Sequence, residues 1–268
     1  MKNIKLIATD MDHTLLTDEG NLPPHFFELL DRVKKEGIYF ALASGRPLAT
    51  LEAMFPEHLN EFIFICDNGG LIKYQGETLY KSLITTDDYH QLIRYMKSIA
   101  TIPVLCGIEG TFIEKNAQKY EDFFRKFYKK LKFVDNLEEL EEPADKVTAY
   151  LPNENSREVY NQYFYPEFDA DFSVAVSDSM WIDLMNKEVD KGAAIHQISQ
   201  YLNISTQDMM AFGDGDNDIQ LLDAVGVGVA VKNATDGVKE HADSITASNN
   251  EYGVSQKIEE LLSNRASN

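Results

Sequence analysis

Residues 4–15, Ile4-Lys5-Leu6-Ile7-Ala8-Thr9-Asp10-Met11-Asp12-His13-Thr14-Leu15, decide how this sequence folds. The apolar run 4–9 reads as a buried strand of a parallel sheet, and two carboxylates follow it directly. Residues that leave the carboxyl end of such a strand face the ligand crevice. A two-residue period puts Asp10 and Asp12 on one side. Two close carboxylates repel unless a cation lies between them, and a hard oxygen-ligated cation such as magnesium suits the pair. The alternative is a surface turn, where aspartate is common.

Working outward, apolar runs at 39–43, 62–66, 209–212 and 225–231, with a short sixth at 244–246, extend the same kind of sheet. Helical patterns fall between several of them. Residues 24–36 place Phe26, Phe27, Leu29, Leu30 and Val33 on one side, with Gly37 as a stop signal; residues 191–202 and 217–224 carry the other two. Strands alternating with helices predict a doubly wound, Rossmann-like α/β sheet. Residues 83–188 read differently. Helical patterns at 87–100, 120–132 and 156–164 accompany half-exposed strand patterns at 146–151, 172–176 and 181–185, where Phe172, Val174 and Val176 share a face. One-sided strands predict an antiparallel sheet with helices on one side. The expected organisation is a discontinuous core, residues 1–82 and 189–268, interrupted by an α+β cap at 83–188, with hinges near 81–85 and 186–190.

Three further groups fall at the same sheet edge. Ser44 and Gly45 end the second strand, where a hydroxyl and a glycine amide can cradle a phosphate; taken alone, a plain helix cap by Ser44 is the better explanation. Lys191 opens a helix, where the dipole disfavours a cation; a solvated lysine is the plain alternative. Gly213-Asp214-Gly215-Asp216-Asn217-Asp218 follows the fourth strand. A calcium loop fits Asp214, Asp216 and Asp218, but Ile219 stands where its glycine belongs and Val225 where its bidentate glutamate belongs. A dinucleotide loop loses its third glycine to Asp218, and its acids would repel a pyrophosphate. A metal site at the carboxyl edge of the sheet remains.

Composition limits the partners. The formal net charge of −19 over 268 residues repels phosphate backbones and anionic lipid, so neither nucleic acid nor membrane is an expected partner. Cys66 and Cys106 both lie in apolar runs, as suits buried thiols in a reducing compartment. No run of 18 apolar residues occurs, and the expected location is cytoplasmic.

With these motifs in place, the chain resembles the haloacid dehalogenase superfamily, and within it the Cof-type phosphatases of subclass IIB. Asp10-Met11-Asp12-His13-Thr14-Leu15, Ser44-Gly45-Arg46, Lys191-Gly192 and Gly213-Asp214-Gly215-Asp216-Asn217-Asp218 match its four motifs in order. The tail 242–246, with Asn249, Glu251, Gly253 and Val254, is also similar. The resemblance implies a phosphatase acting on a small phosphorylated metabolite, a sugar phosphate or similar. It implies Asp10 as nucleophile, Asp12 as acid and base, and magnesium held by Asp10, the Asp12 carbonyl and Asp214. It further implies Ser44, Gly45, Lys191 and Asn217 around the phosphoryl group, with Asp218 supporting the metal or orienting Lys191. A phosphomutase that returns the phosphoryl group to a sugar, and a non-catalytic sensor of a phosphorylated ligand, are the alternatives. One departure stands out: the family pattern has glycine where this chain has His13.

Overall fold

The computed structural model describes residues 3–266. Five strands precede the insert: β1 (Leu6–Asp10), β2 (Tyr39–Ala43), β3 (Phe62–Cys66), β4 (Leu71–Tyr74) and β5 (Glu77–Lys81). Six lie within it: β6 (Ile102–Gly107), β7 (Gly110–Glu114), β8 (Leu131–Val134), β9 (Ala144–Tyr150), β10 (Phe172–Asp178) and β11 (Trp181–Asn186). Three follow: β12 (Met209–Gly213), β13 (Val227–Ala230) and β14 (Ser244–Ile245).

The first sheet runs β14-β13-β12-β1-β2-β3-β4-β5. It is parallel from β14 to β3, and β4 and β5 close it as an antiparallel hairpin. Leu6, Ile7 and Ala8 of β1 and Phe64 and Ile65 of β3 are fully enclosed, as expected of strands with helices on both faces. The hairpin is not anticipated by the sequence pattern. Residues of β5 are exposed or half-buried, so its side chains carry little apolar signal.

The second sheet runs β10-β11-β9-β6-β7-β8 and is antiparallel except for the β7–β8 pair. Phe172, Val174 and Val176 do share a face, packed with Phe164, Phe168 and the helix Thr86–Ser98. Helices cover both faces, however, which corrects the one-sided expectation. Val104, Cys106, Ile113, Tyr150 and Trp181 point the other way. Phe123, Phe124 and Phe127 of the helix Glu121–Phe127 cover them. The helical pattern at 120–132 therefore breaks early: Tyr128 is extended (φ −124°, ψ 99°), and the chain returns as β8.

Cys66 and Cys106 are buried free thiols. Among the described residues no helix is long and apolar enough to cross a membrane.

Candidate active site

Parallel pairing brings the site together. Asp10 is the last residue of β1 and lies level with Ala43 of β2, so Ser44 follows beside it. Thr9 lies level with Phe212 of β12, which puts Asp214 just past the same edge. Lys191 is delivered by the helix Lys191–Leu202, whose N-terminus is capped by Asp190 through a 2.7 Å bond to the Ala193 amide. That helix packs so tightly that a Cβ on Gly192 would lie 2.3 Å from the Gln220 carbonyl oxygen. Only glycine permits this approach.

Lys191 is fully buried. Its Nζ donates to Asp10 Oδ1 at 2.5 Å and to Asp218 Oδ1 at 2.6 Å. Burial alone would lower its pKa, but Asp10 and Asp218 outweigh burial and hold the ammonium above its ordinary value. This explains a cation in the unfavourable first turn: two carboxylates, not water, receive it. Asp218 is committed on both oxygens, because Oδ2 accepts from the amides of Asp214 (2.9 Å) and Gly215 (3.1 Å). The loop 213–218 is thereby folded around a buried acid.

One carboxylate oxygen each from Asp10, Asp214 and Asp218 lies within 4.8 Å of the others. Burial pushes the carboxyl of Asp10 well up; Lys191 opposes the rise, while Asp218, Asp214 and Asp12 add to it. Burial likewise pushes Asp214 up to about 7, reinforced by Asp218, while a 2.5 Å hydrogen bond from Thr14 Oγ1 lowers it. Two buried carboxylates, Asp10 and Asp218, and the half-buried Asp214 against one ammonium leave an excess of negative charge, which a divalent cation would correct. Both oxygens of Asp218 are already used, so Asp10 and Asp214 are the available ligands.

The carboxylate of Asp12 does not join this cluster. It turns to Arg46 and accepts two bonds, from Nε at 2.8 Å and Nη2 at 2.6 Å. Ser44 is buried, and its Oγ accepts from the Arg46 amide at 3.1 Å. The Gly45 carbonyl accepts from Lys146 Nζ, which β9 delivers from the second sheet. Asn217 Nδ2 donates to Asn68 Oδ1 at 3.1 Å, and Asn68 Nδ2 donates to Asp183 Oδ2 at 2.7 Å.

These groups border a cavity of about 420 Å³ between the two sheets. Asp10, Asp12, Ser44, Gly45, Asp214 and Asn217 line it. Lys191 and Asp218 lie beneath, touching the lining residues. Opposite stand Phe127, Tyr128, Lys146 and Trp181, so the second face of the antiparallel sheet forms the roof. Sequence reasoning assigned no role to Thr14, Arg46 or Lys146. Thr14 and Arg46 sit inside quoted motifs. Lys146 opens an alternating strand and gives no signal that distinguishes it from a solvated lysine. His13 lies in the left-handed region (φ 60°, ψ 6°), which accounts for a pattern that favours glycine there.

The family model of the haloacid dehalogenase-like hydrolases matches residues 7–258. The chain is 30% identical to the 5-amino-6-(5-phospho-D-ribitylamino)uracil phosphatase YbjI of Escherichia coli, covering 98% of each chain. It is 27% identical to a phosphoglycolate phosphatase of Methanopyrus kandleri, over 96% of this chain and 97% of that protein. Among solved structures, SMU.1108c from Streptococcus mutans superposes with a TM-score of 0.91 at 27% identity, over 97% of this chain and 99% of the other.

Proposed function

Because the chain belongs to the haloacid dehalogenase-like hydrolases and is a phosphatase of that family, we propose that it hydrolyses a small phosphorylated metabolite, a sugar phosphate or similar, through an aspartyl-phosphate on Asp10 with magnesium as cofactor. The observation that carries this reading is the setting of Asp10. It ends β1 at the cavity, with Oδ1 fixed by Lys191 and Oδ2 left to meet the phosphorus.

In the first step Oδ2 forms a bond to phosphorus and the bond to the leaving oxygen breaks, with Asp12 supplying the proton. In the second step water attacks the phosphorus of the aspartyl-phosphate and gives its proton to Asp12. Inorganic phosphate leaves and the Asp10 carboxylate is restored. Asp12 must leave Arg46 to do this, and Arg46 gives it a defined resting position. Ser44, Gly45, Lys191 and Asn217 bind the phosphoryl oxygens, where charge has to be stabilised. Asp10, Asp214 and the Asp12 carbonyl would hold magnesium, which when bound offsets the repulsion between an anionic nucleophile and an anionic substrate. Asp218 orients Lys191 and the loop carrying Asp214. Residues 83–188 act as a cap over a core of residues 1–82 and 189–268, excluding bulk water and meeting the leaving group.

The names of the relatives support a phosphorylated metabolite without agreeing on one: a ribitylaminouracil phosphate for one, phosphoglycolate for another. The test is phosphate release from a panel of metabolite phosphates with magnesium and then with chelator, for wild type and Asp10→Asn. Release that requires magnesium and disappears in the variant supports the reading. Release that persists in Asp10→Asn removes the nucleophile assignment, and phosphate retained on a sugar only with a bisphosphate activator would point to a mutase.

A further inference from the structure

His13 holds a backbone conformation, φ 60° and ψ 6°, that side chains enter at a cost and glycine does not. Strained positions of this kind persist only where the surroundings over-determine them, and they collect at ligand clamps. The surroundings here are specific. Asn233 Nδ2 donates to the His13 carbonyl at 2.8 Å. His13 Nδ1 lies 3.1 Å from Asp18 Oδ1. Asp18 is itself fixed by Asn249 Nδ2 (2.8 Å) and Asn250 Nδ2 (2.7 Å), and its amide donates to Asn250 Oδ1 at 3.0 Å.

These contacts also set the chemistry of the ring. Hydrogen bonds from Asn249, Asn250 and His13 hold the Asp18 carboxyl down to about 2. It is therefore ionised and accepts only, so His13 Nδ1 carries the hydrogen. Nε2 has no hydrogen-bond partner among the described residues, while His13 lines the cavity with Asp12, Asp18, Arg46 and Phe127. A hydroxyl both donates and accepts, so it pairs with Nε2 in either protonation state of the ring.

We propose that His13 is a specificity-determining residue whose Nε2 bonds a hydroxyl of the leaving group, selecting polyhydroxylated phosphate monoesters. The inference rests on the phosphatase reading above. It gives a reason for a braced histidine at a position where glycine would be free of strain.

The test compares kcat/KM for two polyol phosphates, ribitol 5-phosphate and glucose 6-phosphate, with that for p-nitrophenyl phosphate, whose leaving group has no aliphatic hydroxyl. Wild type, His13→Gly and His13→Asn are measured alongside their melting temperatures. In His13→Gly the polyol-to-nitrophenyl ratio should fall roughly tenfold, mainly through KM, with no loss of melting temperature. His13→Asn, which tolerates the same backbone and keeps a polar group, should recover part of the ratio. An unchanged ratio in His13→Gly overturns the inference and marks the histidine as a surface group held by Asp18. Wild type that cleaves p-nitrophenyl phosphate but neither polyol phosphate also overturns it while leaving the phosphatase reading intact. Wild type that cleaves none of the three removes that reading, and the inference falls with it.

Discussion

Lys191 Nζ stands 2.5 Å from Asp10 Oδ1, with the lysine fully buried and the aspartate at the end of β1. A second carboxylate, Asp218, holds the same ammonium from the other side at 2.6 Å. The ammonium is the counter-charge for two carboxyl groups held out of water. Lys191→Met would leave both without a partner, the situation in which breaking a buried pair costs about 3–5 kcal/mol. The expected outcome is a loss of that size in urea unfolding and a fall in phosphate release of roughly a hundred- to thousandfold. Lys191→Arg should not restore activity, because a fully enclosed site has no room for the larger fork. A Lys191→Met protein as stable as wild type would show that the pair contributes nothing.

The second buried lysine ties the two sheets together. Lys146 donates to the Gly45 carbonyl and lies 3.0 Å from Asp67 Oδ1 and 3.6 Å from Asp183 Oδ2. Asp183 also accepts from Thr148 (2.5 Å), Ser177 (2.6 Å) and Asn68 (2.7 Å). Lys146→Met should cost about 3 kcal/mol or more in urea unfolding, because Asp67 and Asp183 lose their shared cation, and Asp183 keeps only its neutral donors. It should also lower kcat/KM, because the peptide after Gly45 carries the amide that Ser44 Oγ accepts. A variant that loses stability but keeps full kcat/KM would separate this network from the phosphate loop.

How much of this was legible in the sequence follows from what each residue signals locally. The parallel strands announce themselves as apolar runs, because burial on both faces leaves no polar positions. The motif residues Asp10, Ser44, Lys191 and Asp214 were readable because each sits at a strand end or helix start. The pairing of Asp12 with Arg46 was not readable, since a turn leaves side-chain direction open. Nor was the role of Lys146, whose partners Asp67 and Asp183 are far from it in sequence. The β4–β5 hairpin escaped for the opposite reason: its last strand is largely exposed and carries no period. His13 was visible as a departure, but only its backbone angles explain what the departure costs.

Gly192 offers a test of positioning apart from chemistry. A Cβ there would meet the Gln220 carbonyl oxygen at 2.3 Å and carbon at 2.7 Å, and backbone cannot turn aside as a side chain can. Gly192→Ala must push the helix Lys191–Leu202 away from its neighbour, carrying Lys191 with it. The expected result is a destabilisation of about 1–3 kcal/mol and a loss of kcat out of proportion to it, since small misplacements of a binding group are costly. Measured kcat unchanged in a folded Gly192→Ala protein would mean that Lys191 tolerates displacement.

Magnesium and protons compete for the same carboxylate. Burial, then Asp218, pushes Asp214 from 3.8 up to about 7 in the metal-free protein. Between those values the folded protein keeps a proton that the unfolded chain has released. The contribution of this group to metal-free stability therefore falls as pH rises through that window; Asp10, also raised, acts in the same sense. Magnesium binds the ionised form, so its affinity should climb with pH through that window as Asp214 gives up its proton. Thermal melts in chelator and in magnesium, at about pH 5.5 and about pH 8, would check both statements. The metal-free protein should melt lower at the higher pH, and the rise produced by magnesium should be several degrees larger there. Equal magnesium shifts at the two pH values would mean that Asp214 is not among the ligands or is already ionised without the metal.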